Sequence, residues 1–218
     1  MRVVIAGGHG KIALRLERLL AGRGDAAIGL VRNPAHAPDL HAVRADAIVC
    51  DLERAGVHEV AAHITGADAV VFAAGAGPGS GAARKDTVDR AAAALLADAC
   101  LVAGVRRYLL ISSMGLDRAE QPGMDEVFAA YLQAKRAAED DLRSRDLDWT
   151  VLRPGRLTDE PGTGLVRLGA SAQYGEVPRD DVAAVLLQLL DEPASIRHTL
   201  ELVSGDVPIV DAVATAVS

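Results

Sequence analysis

The sequence predicts a single α/β domain, a doubly wound and mostly parallel sheet of about seven strands flanked by helices. Three observations predict it. Short apolar runs recur along all 218 residues, segments of helical period separate most of them, and the first run passes through a cluster of glycines into an amphipathic helix. Strand–helix alternation of this kind is the signature of a Rossmann-type sheet.

The expected strands are Val3–Ala6, Ala27–Val31, Ala47–Cys50, Ala69–Ala73, Tyr108–Ile111, Trp149–Leu152 and Leu200–Val203. Most are continuously apolar, as strands covered on both faces must be. Between them, Ile12, Leu16, Leu19 and Leu20 form one helical stripe. Val88, Ala92, Leu95, Ala99 and Val102 form a second, and Val127, Tyr131, Ala134, Ala138 and Leu142 a third. Gly22, Gly24 and Gly104 mark helix ends, and Asp180–Asp181 stand where a helix starting at Val182 wants its N-cap. From Pro154 to Pro178 the periodicity is lost among Pro, Gly and Thr. Residues 156–178 are therefore expected to form a substrate- or partner-facing segment of the one domain, 1–218.

Half the residues are hydrophobic, 24% are charged and the net charge is −7. That is enough apolar material for one core and rules out a disordered chain. The acidic balance advertises no face to nucleic acid or an anionic membrane. Asp89, Arg90 and Asp98 interrupt the Ala-rich run from Val88 to Val105, so no membrane span is expected. The first strand begins at Arg2, which leaves no room for a secretory signal, and two cysteines, Cys50 and Cys100, in apolar company read as buried thiols in a reducing cytoplasm. The expected partner is a small-molecule substrate, and the expected state a monomer or homodimer.

The strongest local signal is Val3-Val4-Ile5-Ala6-Gly7-Gly8-His9-Gly10-Lys11-Ile12-Ala13. It fits Gly7-x-x-Gly10-x-x-Ala13 or Gly8-x-Gly10-x-x-Ala13. Without Cβ atoms the backbone can turn sharply and approach a pyrophosphate, and the free N–H groups of the helix that starts at Lys11 and Ile12 favour negative charge. His9 either borders the phosphates or faces water. The second strand ends at Val31-Arg32. An NAD-selective site wants a carboxylate there for the ribose 2′-OH, whereas a guanidinium forks onto a 2′-phosphate, so NADP is expected ahead of NAD. Asp51, followed by Leu52, either meets the adenine amino group or caps the next helix. Ala73, Ala74 and Gly75 close the fourth strand with residues small enough for a cofactor to cross.

Ser112 and Ser113 follow the fifth strand, and Tyr131 and Lys135, four apart on the next helix, share a face. An ammonium beside a phenol favours the phenolate. Ser113 would hydrogen-bond a substrate oxygen, Tyr131 would donate the proton, and Lys135 would serve both the phenol and a ribose diol. The chain has three lysines, Lys11, Lys85 and Lys135, against twenty arginines, and two of the three fall in these motifs. A half-buried tyrosine beside a snorkelling lysine is the plain alternative. His58 and His63, five apart, lie on different helical faces, and no metal site is expected.

These pieces, with Leu152-Arg153-Pro154-Gly155, resemble the short-chain dehydrogenase/reductase superfamily, and within it the small atypical members related to NmrA-like and flavin/biliverdin-reductase-like proteins. The resemblance implies that Ser113, Tyr131 and Lys135 align with the family's serine, tyrosine and lysine, with Ser112 as the adjacent alternative. It also implies that Pro154 and Gly155, followed by Arg156, border the nicotinamide. About sixty residues follow Pro154, fewer than the lobe used by sugar-nucleotide epimerases. Two functions stay open: an NAD(P)H-dependent oxidoreductase acting on a small carbonyl, quinone or flavin-like compound, and a non-enzymatic NADP(H)-binding sensor.

Overall fold

The computed structural model describes residues 1–77 and 79–218, and for Ala82 the backbone alone. The described residues run β1 (Arg2–Ala6), α1 (Lys11–Gly22), β2 (Ala26–Val31), α2 (Ala37–Ala42), β3 (Asp46–Val49), α3 (Val57–Ile64) and β4 (Ala69–Phe72). A short α4 (Ala82–Arg84) widens into a π-helical stretch, Lys85–Ala91, and continues as α5 (Ala92–Ala103). Then come β5 (Arg107–Ile111), α6 (Glu126–Arg143), β6 (Asp148–Pro154), β7 (Arg156–Thr158), β8 (Leu165–Gly169) and β9 (Glu176–Pro178). The chain finishes with α7 (Arg179–Leu190), β10 (Thr199–Ser204), β11 (Val207–Pro208) and α8 (Ile209–Ala216).

Nine strands form the main sheet in the order β11-β8-β10-β6-β5-β4-β1-β2-β3. The ladder is parallel from β3 through β10, and β8 and β11 close the far edge antiparallel. After β3 the chain crosses back over β1 to form β4, so the order reverses between β1 and β4. In such sheets that reversal opens a crevice at the carboxyl ends of the strands.

The continuous apolar runs follow from burial on both faces. Val3 and Ile5 join the core under α1, α7 and α8, while Val4 and Ala6 join the one under α3, α5 and α6. All four are fully buried. Register is fixed by these alternations: Val3 pairs with Ala27 on one side and Ala69 on the other.

The mostly parallel sheet of about seven strands expected from sequence is present, with nine strands among the described residues, because β8 and β11 add short pieces at its edge. Several local details differ from the sequence pattern. Residues 156–178 contain three strands and send Val166 and Val177 fully into the core. The helix expected at Val182 starts at Arg179 with Pro178 as its N-cap residue. Asp181 instead accepts hydrogen bonds from the backbone of Thr163 and Gly164 (3.0 and 2.9 Å), and Asp180 from Gly162 (3.2 Å). On α1 the buried face holds Glu17 with Ala13, Leu16 and Leu20, and Leu19 is exposed. On α5, Val102 is likewise exposed and Leu96 and Cys100 are buried, because the wide π-turn rotates the helix relative to a stripe counted from Val88. Asp51 caps a turn by accepting from the Glu53 N–H (3.1 Å), while α3 starts later, after Gly56.

Candidate nucleotide and catalytic site

The glycine turn divides its duties residue by residue. Gly7 has φ +80°, and a Cβ there would stand 2.6 Å from the Ala74 backbone, so it must be glycine both to turn and to let β1 and β4 exit side by side. Gly8 packs against β2, since a Cβ would stand 2.5 Å from Gly29 Cα. Gly10 is the N-cap residue of α1, with no side-chain cap on the helix's first N–H groups. Those N–H groups, at the positive end of a twelve-residue helix, are suited to an anion.

A cleft of about 300 Å³ opens there, in the range of small-ligand sites. Gly7, His9 and Gly10 form one wall, Val31, Arg32 and His36 a second, Cys50, Asp51 and Leu52 a third, and Ala73, Ala74 and Gly75 the floor. His9 stacks on His36 (ring centroids 3.7 Å apart), and its Nε2 lies 2.8 Å from an Asp39 carboxylate oxygen, so it is part of the wall and not a free side chain.

At the end of β2, Arg32 donates to Glu53 (2.9 Å), and Arg84 donates to the same carboxylate oxygen (2.8 Å). Thr87 bonds the other oxygen (2.7 Å), and this hydroxyl together with the two guanidiniums holds the Glu53 carboxyl below its ordinary range despite the cost of burial. Arg84 also lines the cleft. Sequence reasoning named Arg32 but missed Glu53, on the turn between β3 and α3, and Arg84, on α4, which the connection from β4 to α5 brings beside it.

The second half of the site gathers around Tyr131. This half-buried ring stacks on Phe128 and packs on Leu116, Ala119 and Leu132. Lys85 Nζ lies 5.4 Å and Lys135 Nζ 5.9 Å from the ring centroid. Lys135 is buried, donates to the Ile111 carbonyl (3.1 Å) and pairs with Asp89 (3.2 Å), itself fully buried. Asp89 also accepts from the Ala76 N–H (3.1 Å), and its other oxygen stands 3.2 Å from where a Gly75 Cβ would be. The buried ion pair thus abuts the floor of the cleft. Lys85, buried as well, donates to the Gly77 carbonyl (2.8 Å) with no carboxylate partner among the described residues. Of the two lysines on the ring, Lys85 carries the uncompensated charge. Lys85 and Asp89, four apart on the π-helical stretch, were missed as site residues because that run reads as ordinary amphipathic helix.

Ser113 is half-buried and donates to the Met114 carbonyl (3.2 Å). Ser112 is committed elsewhere: it is buried and donates to Glu139 (2.6 Å), which Arg153 grips through two bonds (2.8 and 2.6 Å) and Arg143 through a third (2.6 Å). Burial opposes the Glu139 charge, but these donors outweigh it and keep the carboxyl below its ordinary range. Lys11 is exposed and pairs with Asp159 (2.5 Å), tying α1 to the 156–178 segment, and Ile12 packs against the core. Arg156 pairs with Glu176 on the paired strands β7 and β9. Gly155 is fixed by a tight approach, a Cβ there standing 2.2 Å from the Gly175 carbonyl oxygen. Both cysteines are free and buried, which pushes Cys50 up to about 11, helped by Glu59 and Asp51, and Cys100 to about 12, so neither is a ready nucleophile.

A strand–glycine–helix turn at the switch point of a mostly parallel sheet is the architecture of the pyridine-nucleotide-binding short-chain dehydrogenases/reductases of the atypical, NmrA-like type. The sequence model of the NAD(P)H-binding family matches residues 7–193, and the chain belongs to that family. It is 34% identical over 213 residues to the uncharacterized sugar epimerase YhfK of Bacillus subtilis, covering 97% of this chain and 98% of that one. Among solved structures it superposes with TM-score 0.90 on a protein from Bacillus halodurans named for NAD-dependent epimerases/dehydratases, at 35% identity and 99% coverage of both chains. The oxidoreductase ylbE of Lactococcus lactis is similar at TM-score 0.85 and 25% identity, over 99% of this chain and 96% of that one.

Proposed function

We propose that the chain is an NADP(H)-dependent reductase that transfers hydride to a small carbonyl, quinone or flavin-like compound, acting in the cytoplasm as a monomer or homodimer. The observation that carries the cofactor choice is the pair of guanidiniums, Arg32 and Arg84, on one carboxylate at the end of β2. Two positive charges against one negative leave a net attraction for a 2′-phosphate where an NAD-selective site would place a lone acid.

When bound, the nicotinamide supplies the hydride. The chain supplies the rest. N–H groups at the start of α1 hold the diphosphate, Ser113 Oγ orients the substrate oxygen, and Tyr131 gives that oxygen its proton as the carbon is reduced. The phenolate left behind is stabilised mainly by Lys85, since the Lys135 charge is largely answered by Asp89. Residues 156–178 would close over the substrate, anchored to α1 through Lys11–Asp159.

The test is NADPH oxidation against a panel of aldehydes, quinones and flavins, with Tyr131→Phe as the control. Loss of roughly 10²–10⁴ in turnover, with NADPH affinity unchanged, is expected for removal of a proton donor. Turnover unchanged in the variant would remove Tyr131 from the chemistry. One observation favours a second reading: the buried Asp89–Lys135 pair withdraws the family's lysine from free engagement with cofactor. A non-enzymatic NADP(H) sensor would bind the dinucleotide tightly and turn over nothing on the panel.

A further inference from the structure

A second cluster lies on the Cys50 side of the cleft, on side chains to which the reductase reading gives no chemical role. On α3, Glu59 and His63 stand one helical turn apart, on the same face. Facing them is Cys50, just past the end of β3. The Cys50 sulfur, a Glu59 carboxylate oxygen and a His63 ring nitrogen all lie within 4.8 Å of one another. Cys50 is buried, and its N–H is bonded to the Val31 carbonyl at 2.9 Å, so its backbone is held in place while Glu59 and His63 lie nearer the surface. In this arginine-rich chain the functional carboxylates are paired: Glu53 with Arg32 and Arg84, Glu139 with Arg153, Asp159 with Arg179. Glu59 is not. Among the described residues, none of the three side chains has a hydrogen-bond or ion-pair partner.

We propose that Cys50, Glu59 and His63 form a zinc-type metal site, independent of the reductase reading. One thiolate, one imidazole and one carboxylate are the donor classes of three-ligand zinc centres, which leave the fourth tetrahedral position to water or a ligand. Sulfur and imidazole together select a borderline-soft dication over Mg²⁺ or Ca²⁺. Zinc bonds of about 2.0–2.3 Å place tetrahedral ligand atoms roughly 3.5 Å apart. Any contraction this requires falls to rotation of the exposed Glu59 and half-buried His63 side chains. The metal would displace the thiol proton, tie α3 to the end of β3 and, because Cys50 also walls the cleft, sit where its occupancy is felt by bound nucleotide.

The full chain, stripped with chelator and titrated with Co²⁺, should bind one equivalent, develop a near-ultraviolet sulfur-to-metal charge-transfer band and lose it when Zn²⁺ is added. Cys50→Ser should abolish that band, and Cys100→Ser should leave it intact. Glu59→Gln and His63→Ala should weaken Co²⁺ binding by at least the roughly 10–100-fold that loss of even an outer-shell partner costs. Glu59 is exposed, so its variant reports on the site without endangering the fold. Absence of saturable Co²⁺ or Zn²⁺ binding, a band that survives Cys50→Ser, or unchanged affinity in Glu59→Gln and His63→Ala would overturn the site.

Discussion

Glu17 is the least expected residue behind the nucleotide cradle. It is fully buried on α1, neither carboxylate oxygen has a hydrogen-bond partner among the described residues, and one of them lies 3.0 Å from where a Gly8 Cβ would stand and 2.7 Å from that of Gly29. Burial pushes its pKa up to about 8 from 4.5. The folded chain therefore holds this proton more tightly than the unfolded chain does. Its stabilising share is complete below pH 4.5 and is lost as pH rises toward 8, at up to roughly 1.4 kcal/mol per unit. Glu17→Gln, neutral throughout, is expected to raise the urea midpoint at pH 8 and to match the parent near pH 5. Equal midpoints at both values would show that the carboxyl ionises freely. Across the cleft, Arg84→Ala is expected to weaken NADPH binding about ten- to a hundredfold, the worth of one charge-assisted bond, while NADH binding stays nearly constant. Fluorescence titration with the two nucleotides checks it, and equal losses would place the 2′-phosphate elsewhere.

At the scale of elements, the π-helical stretch Lys85–Ala91 does the most to assemble the site. It turns Lys85 toward Tyr131, Asp89 toward Lys135 and the Gly75 turn, and Thr87 toward Glu53. Asp89→Ala leaves Lys135 buried without its counter-charge and is expected to cost about 3–5 kcal/mol of stability. Asp89→Leu combined with Lys135→Met should recover most of that loss. Chemical denaturation of both variants decides it, and a single variant as stable as the parent would show the pair to be solvated. None of this was legible in the sequence. Asp89 read as an interruption in an alanine run, Arg84 and Lys85 lie some fifty residues from Arg32, and no periodicity records a pairing made across loops. The strand–glycine–helix unit was legible because turn chemistry, helix start and cradle are neighbours in the chain. The Asp180–Asp181 capping signal misled because the same side chains can cap a loop that approaches from elsewhere.

For the whole molecule, the parallel sheet was readable because each central strand is covered on both faces and must be apolar throughout. Its edge was not, since β8 and β11 are only five and two residues long, short enough for packing to override local propensity. The reversal of strand order between β1 and β4 then makes one crevice the meeting point of the cradle, the arginine pair and the Asp89–Lys135 ion pair. Among the described residues no helix is long and apolar enough to cross a membrane. The proposed reductase requires that crevice to hold a pyridine dinucleotide with a 2′-phosphate. Isothermal titration of the full chain with NADPH and NADH measures this directly. Saturable one-to-one binding with NADPH tighter by about tenfold or more is the predicted result. No heat from either nucleotide, or equal affinity for both, would contradict it.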